Sequence, residues 1–263
     1  MNIFTIFGDP VSHSRSPLMH NTVFKALEVK ACYTRTHLRD GSKLRDAFFA
    51  KALCGANVTV PHKETAYSQC DEVRGIAREI GTVNTLILEN GRLIGYNTDA
   101  DGFIAAIQSF GKLSTALIIG AGGTAKALAI ALEHNTITPT ILNRSHGRLE
   151  YFREKGFDAY DWERFIPRSF DLIINTTSAG LTDNELPIPA ELLTALLATS
   201  KGAIDVIYGK ETPFLAEVKK AKLPYKDGSD MLLEQGVIAN ALFLKNAAST
   251  QQIRPIMQRS FLY

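Results

Sequence analysis

The sequence predicts an α/β protein folded as two domains. Short apolar strands alternate with helix-period segments along most of its 263 residues. A glycine-rich turn near residue 120 opens a second such run, and a long helical pattern near the carboxyl end belongs to neither run. The expected division is residues 1–100 plus 231–263 for one domain and 101–230 for the other, with a cleft between them, the usual place for a ligand.

In the first domain, strands are expected at 3–7, 32–37, 56–60 and 85–89, with helices near 18–27, 43–51 and 72–79. These make a separate α/β layer. In the second, residues 114–119 (STALII) form a short apolar strand, and Gly120-Ala121-Gly122-Gly123 follows at once. Ala125, Leu128, Ala129 and Leu132 recur at helical spacing, one face of a helix running to about His134. Further strands fall at 140–142, 171–175 and 203–207, with a helix near 190–198. Thr212 is a candidate N-cap with Pro213 at the first helical position, starting a helix to about Ala221. Residues 223–225 contain Pro224, which cannot donate to a central ladder, so this strand belongs at an edge. The helix at 231–246 is expected to pack back against the first domain.

Composition excludes several classes. Basic and acidic residues nearly balance, 29 against 27. No like-charged block offers a footprint for nucleic acid or an anionic membrane surface. The first residues lack the basic and long apolar regions of a signal peptide, and no apolar run nears the roughly 18 residues of a membrane span. Cys32, Cys54 and Cys70 are widely spaced, without C-x-x-C, as reduced thiols of a cytoplasmic protein would be. The six histidines are scattered, and no metal site is expected. Oligomeric state is left open, a homodimer included.

Gly120, Ala121, Gly122, Gly123, Thr124 and Ala125 depart from G-x-G-x-x-G only in the tolerated third place. Gly120 allows the tight turn, and Gly122 lets backbone N–H groups approach a pyrophosphate at a helix N-terminus. A strand, this loop, a helix and a second strand make a Rossmann-type dinucleotide unit. An NAD site would place a carboxylate at the end of the second strand, about 20 residues on. The strand instead ends Leu142-Asn143-Arg144-Ser145. The Arg144 guanidinium suits a 2′-phosphate, with hydrogen bonds from Asn143 and Ser145, so NADP is the expected cofactor.

Four polar segments precede residue 103: 8–21 (GDPVSHSRSPLMHN), 57–63 (NVTVPHK), 81–85 (GTVNT) and 95–102 (GYNTDADG). Each sets Ser, Thr, Asn, Asp or Lys at or just after a strand end, the edge where open α/β sheets bind ligands. Ser14 and Ser16 beside Pro17 could equally be a helix cap. Thr59, Lys63, Asn84 and Asp99 together suit a polyhydroxylated acid, which needs many hydrogen-bond partners and a cation.

These segments resemble the shikimate dehydrogenase family, with its G-N-P-x-x-H-S-x-S-P-x-x-H-N opening, its N-V-T-x-P-x-K, its G-A-V-N-T and its G-x-N-T-D-x-x-G. The glycine loop, the Asn143 turn, 175–180 (NTTSAG) and Tyr208 with 212–215 (TPFL) are similar too, so the likeness runs over residues 8–235. It implies NADPH-dependent reduction of 3-dehydroshikimate to shikimate, in the pathway to chorismate and aromatic amino acids. It further implies Ser14 and Ser16 at the substrate carboxylate, Thr59, Asn84 and Gln235 at ring hydroxyls, Tyr208 at the substrate, and Lys63 with Asp99 as the catalytic pair. Gly120 to Ala125, Asn143, Arg144, Ser145, Arg148, Val206 and Gly228 are implied at the cofactor. The chain departs from the family pattern at Asp9, Thr82, Lys126 and Asp230, which puts loop detail in question rather than the reaction.

Reducing a ketone builds negative charge on oxygen, so the site must supply a proton or a cation there. Lys63 could do either, with Asp99 orienting it. Competing readings are a quinate/shikimate dehydrogenase of broader range, a cofactor-binding regulator without catalysis, and a folate-type dehydrogenase of similar two-lobe plan. The missing acid after the second strand disfavours the first, the intact Lys63 and Asp99 the second, and the Ser14/Ser16 segment the third.

Overall fold

β1 (Asn2–Gly8) is apolar on both faces, as the inner strand of a covered sheet must be. After it the chain runs through α1 (Ser16–Ala26), β2 (Ala31–His37), α2 (Leu44–Ala50), β3 (Gly55–Val58), α3 (Lys63–Gln69), β4 (Glu72–Val73), α4 (Ala77–Ile80), β5 (Thr85–Glu89), β6 (Arg92–Tyr96) and α5 (Thr98–Ile107). It continues through β7 (Thr115–Ile119), α6 (Gly123–His134), β8 (Thr138–Asn143), α7 (Glu150–Glu154), β9 (Asp158–Asp161), β10 (Leu172–Asn175), α8 (Ala190–Leu197) and β11 (Gly202–Asp205). α9 (Pro213–Lys220), β12 (Tyr225–Lys226), α10 (Gly228–Phe243) and α11 (Thr250–Gln258) complete it. This computed structural model describes residues 1–262. They form two compact units, one of Met1–Gly102 with the chain from Leu233 onward, the other of Phe103–Leu232.

The first unit carries a six-stranded mixed sheet in the order β2-β1-β3-β5-β6-β4. β1 lies parallel to β2 and β3, whereas β5 runs antiparallel to β3 and β6. Phe4 and Ile6 face one side of the sheet with Phe24, Tyr33 and Phe243, and Phe7 faces the other with Leu44 and Phe48. The Phe4 and Phe243 rings lie 4.7 Å apart, so the end of α10 is fastened to β1.

Two features of this unit depart from the sequence reading. The expected helix at 72–79 is only the single turn of α4, because Glu72 and Val73 pair with Ile94 and Gly95 of β6. Gly75 at φ 62° breaks any helix there, and Arg74 bonds Glu72, Glu89 and the Tyr96 hydroxyl. β6 itself has no counterpart among the expected strands. It forms a hairpin with β5 through Asn90-Gly91, at φ 50° and 76°, the left-handed pair a two-residue hairpin turn needs.

The second unit carries six parallel strands in the order β12-β11-β10-β7-β8-β9. This is the doubly wound order in which the strand sequence reverses beside β7, opening a crevice at the carboxyl ends of β7 and β10. Leu117, Ile119, Ile173, Leu193 and Phe214 fill one side of the sheet. The Thr212 hydroxyl accepts from Leu215 N at 3.2 Å and caps α9, with Pro213 in its first turn. β12 lies at the edge after Pro224. α7 and β9 were absent from the sequence reading; β9 (DAYD) is an edge strand, so its mostly polar residues carry no apolar signal.

Candidate active site

In the first unit, Lys63 is the first residue of α3 and Asp99 the second of α5. Lys63 is tied down by its backbone, its carbonyl accepting from Val83 N at 3.0 Å. Asp99 is set by Asn97, whose Oδ1 accepts from Asp99 N at 3.1 Å and Ala100 N at 3.2 Å. Asn97 is therefore the N-cap of α5, and its amide donates in turn to Thr82 Oγ1 at 3.0 Å. The outcome is a Lys63 Nζ to Asp99 Oδ2 contact of 2.7 Å, with the two side chains 30% and 19% exposed. The pair can be reached by a ligand, yet part of its hydration is already gone.

Asn84 ends the loop before β5 and is buried. Its Oδ1 accepts from Thr98 N at 2.7 Å, and its Nδ2 donates to Thr98 Oγ1 at 3.0 Å, leaving one amide hydrogen beyond those bonds. Thr59 follows β3, half-buried, with its N–H on Phe7 O at 2.9 Å. Gly8 packs closely beside it, and an added Cβ would lie 2.4 Å from Thr59 Cγ2 and displace that side chain. Ser14 and Ser16 are buried; the Ser14 hydroxyl accepts from Ser16 N at 3.3 Å and donates to Ser16 Oγ at 3.2 Å. That contact resembles the helix-cap alternative, but Arg15 holds the cap position of α1. Gln235 of α10 is buried, its backbone so close that a Cβ on Gly102 would meet it at 2.5 Å.

Beneath these residues runs a buried polar chain that the sequence reading did not identify. Tyr33 OH donates to Asn57 Oδ1 at 2.6 Å, and Asn57 Nδ2 donates to Thr85 Oγ1 at 3.0 Å and Asn84 O at 3.3 Å. The Tyr33 ring stacks on His20 at 4.4 Å, and Asn240 Nδ2 meets His20 Nδ1 at 2.9 Å. Burial lowers His20 to about 3, so it is neutral. Burial raises the Tyr33 phenol well above its ordinary value. The only signals for Asn57 and His20 were their places in the polar segments 57–63 and 8–21.

The second unit presents its glycine loop at the crevice between β7 and β10. Gly120 has φ 110° and its N–H on Leu142 O at 2.8 Å. Gly122, Gly123 and Thr124 are exposed, open space surrounds both glycines, and no side chain caps α6. Ala121 and Ala125 are buried against the sheet. Asn143 ends β8 and donates to Ser145 O at 2.9 Å, while Arg144, Ser145 and Arg148 are exposed. Among the described residues neither Arg144 nor Arg148 is paired with a carboxylate. Val206 follows β11 with its N–H on Asn175 O at 3.0 Å, and Gly228 packs so tightly there that a Cβ would meet Val206 O at 2.1 Å. Tyr208 is 38% exposed.

Asp205, which the sequence reading passed over, is fully buried at the end of β11. It accepts from Asn175 Nδ2 at 3.1 Å, Ile207 N at 3.0 Å and Thr212 Oγ1 at 2.6 Å. Burial raises its carboxyl above the usual range, and these donors oppose the rise. Among the described residues no three His, Cys, Asp or Glu are placed to hold a metal ion. No helix among them is long and apolar enough to cross a membrane.

Residues 6–86 match the family description "Shikimate dehydrogenase substrate binding domain". The NADP-type shikimate dehydrogenase of Helicobacter hepaticus is 47% identical over 247 residues, covering 93% of this chain and 92% of its own. The chain belongs to the shikimate dehydrogenase family. Its counterpart in Helicobacter pylori strain J99 is 42% identical, with 98% of both chains covered. The shikimate dehydrogenase of Thermus thermophilus, solved with NADP(H) and shikimate, superposes with a TM-score of 0.86 at 33% identity, over 99% of this chain and 100% of that one. Within the family, the two-unit α/β plan is a substrate domain followed by a Rossmann-type domain. All four departures from the family pattern have partners here: Asp9 pairs with His37 at 2.6 Å, Thr82 accepts from Asn97, Lys126 lies over the Tyr151 ring, and Asp230 pairs with Lys226.

Proposed function

We propose that the chain is an NADP-dependent shikimate dehydrogenase, reversibly reducing 3-dehydroshikimate to shikimate on the route to chorismate and aromatic amino acids. The observation that carries this reading is the Lys63–Asp99 contact at 2.7 Å, in the unit that also holds Ser14, Ser16, Thr59, Asn84 and Gln235. The second unit suits the cofactor: an uncapped, exposed α6 N-terminus fits a pyrophosphate, and the unpaired Arg144 and Arg148 fit a 2′-phosphate. The cofactor, when bound, supplies the hydride. Gly228 and Val206 shape the crevice wall by their close approach.

The substrate carboxylate falls to Ser14 and Ser16, and the ring hydroxyls to Thr59, Asn84 and Gln235. As charge grows on the carbonyl oxygen, Lys63 Nζ stabilises it and delivers the proton, while Asp99 accepts from Nζ and fixes its direction. The three free cysteines suit work in a reducing cytoplasm.

Steady-state oxidation of shikimate with NADP and with NAD is the direct test, and turnover with NADP far above NAD is the expected result. Lys63→Ala should cut kcat by about 10²- to 10⁴-fold, the usual contribution of a general acid. Turnover that survives while only affinity falls would make Lys63 a binding residue.

A further inference from the structure

Tyr33, Arg35 and His37 alternate along β2, so they share one face of an edge strand. Arg35 and His37 reach the segment joining β1 to α1, which carries Ser14, and Tyr33 stands beside Ser16, the first residue of α1. Arg35 Nε and Nη2 both donate to the Ser14 carbonyl, at 3.1 and 2.6 Å. His37 Nε2 lies 2.6 Å from Asp9 Oδ1, gripping the same segment near its start. At the buried end, the Ser16 hydroxyl stands beside the Tyr33 phenol and partly offsets its burial. Among the described residues no carboxylate neutralises Arg35. An uncompensated guanidinium is therefore fixed one peptide away from two buried serine hydroxyls.

We propose that Arg35 is a positioning residue for the Ser14–Ser16 site: it locks the Ser14 backbone and places a fixed positive charge beside the anionic end of the ligand. This rests on the reading of Ser14 and Ser16 as the carboxylate site. The physical need is plain. Serine hydroxyls are neutral donors, and a carboxylate leaving water is better held when a cation stands nearby. The Asp9–His37 pair acts at the other end of the segment, removing freedom that the loop would otherwise lose on binding.

The test compares the full chain with its Arg35→Gln and Arg35→Lys variants, using shikimate, shikimate methyl ester and NADP. Arg35→Gln should raise the KM for shikimate about tenfold, as expected for losing a charge-assisted bond. The KM for NADP and kcat should stay within about twofold, and the preference for acid over ester should shrink. Arg35→Lys, which keeps the charge without the fork, should fall between the two; it also serves if Arg35→Gln does not fold. An unchanged shikimate KM, an equal rise for acid and ester, or a matching loss in NADP affinity would overturn the proposal. A parent chain that does not oxidise shikimate at all would instead count against the proposed function.

Discussion

Arg144 and His20 show how one side chain can be tested alone. Arg144 is exposed at the end of β8 without a carboxylate partner, and a 2′-phosphate would provide an anion. Arg144→Ala should weaken NADPH about tenfold or more and leave NADH nearly untouched, measured by fluorescence titration of both. Equal losses would rule out a phosphate role. His20 is buried and held neutral, lowered by desolvation to about 3. The unfolded chain binds its proton near pH 6.5, so the folded form is favoured above that pH. Stability should then fall as pH drops from about 6.5 towards 3, by up to about 1.4 kcal/mol per pH unit from this group. Denaturant melts of the parent and His20→Gln across that range should show a flatter acid limb in the variant. Arg144 was legible in the sequence because its neighbours lacked a carboxylate. His20 stood in the 8–21 segment, but its burial was not legible, because nothing in the sequence shows that α1 turns it under β2.

At the scale of elements, caps decide whether functional side chains point correctly. Asn97 caps α5 and so fixes Asp99. Asn97→Ala should cost about 1 kcal/mol of stability and lower kcat more than it raises KM, while Asn97→Asp, which keeps the acceptor, should recover much of the loss. Thr212 has a double role, capping α9 and donating to buried Asp205. Thr212→Ala should destabilise by about 2 kcal/mol, more than an isolated cap, and Thr212→Ser should restore most of it, as thermal melts would read. Elements with strong periodicity, such as α6 and β7, could be read from the chain. Asn90-Gly91 is a local hairpin signal, and β6 follows directly from it. β9 gave little to read, because an edge strand needs no apolar face. The stretch around Glu72 fails as a helix because its backbone bonds go to β6, a partner about 20 residues away in sequence.

For the molecule as a whole, close approach sets limits that composition does not reveal. Gly228 has no room for a methyl group, since an added Cβ would lie 2.1 Å from the Val206 carbonyl oxygen. Gly228→Ala should therefore destabilise the second unit and weaken NADPH, whereas Gly147→Ala, in open space, should be nearly neutral in both assays. The α/β class, the glycine turn and the preference for NADP were determined by sequence alone, because periodicity and motif spacing are local properties; Lys63, Asp99, Ser14 and Ser16 were candidates there through what the family resemblance implies. Only the tertiary structure brought Lys63 to 2.7 Å from Asp99, set Arg35 on the Ser14 carbonyl, and buried Asp205 among three donors. All but the Ile207 contact join residues from 7 to 36 positions apart; which side of a strand each faces depends on register, and register is settled only when the whole sheet packs.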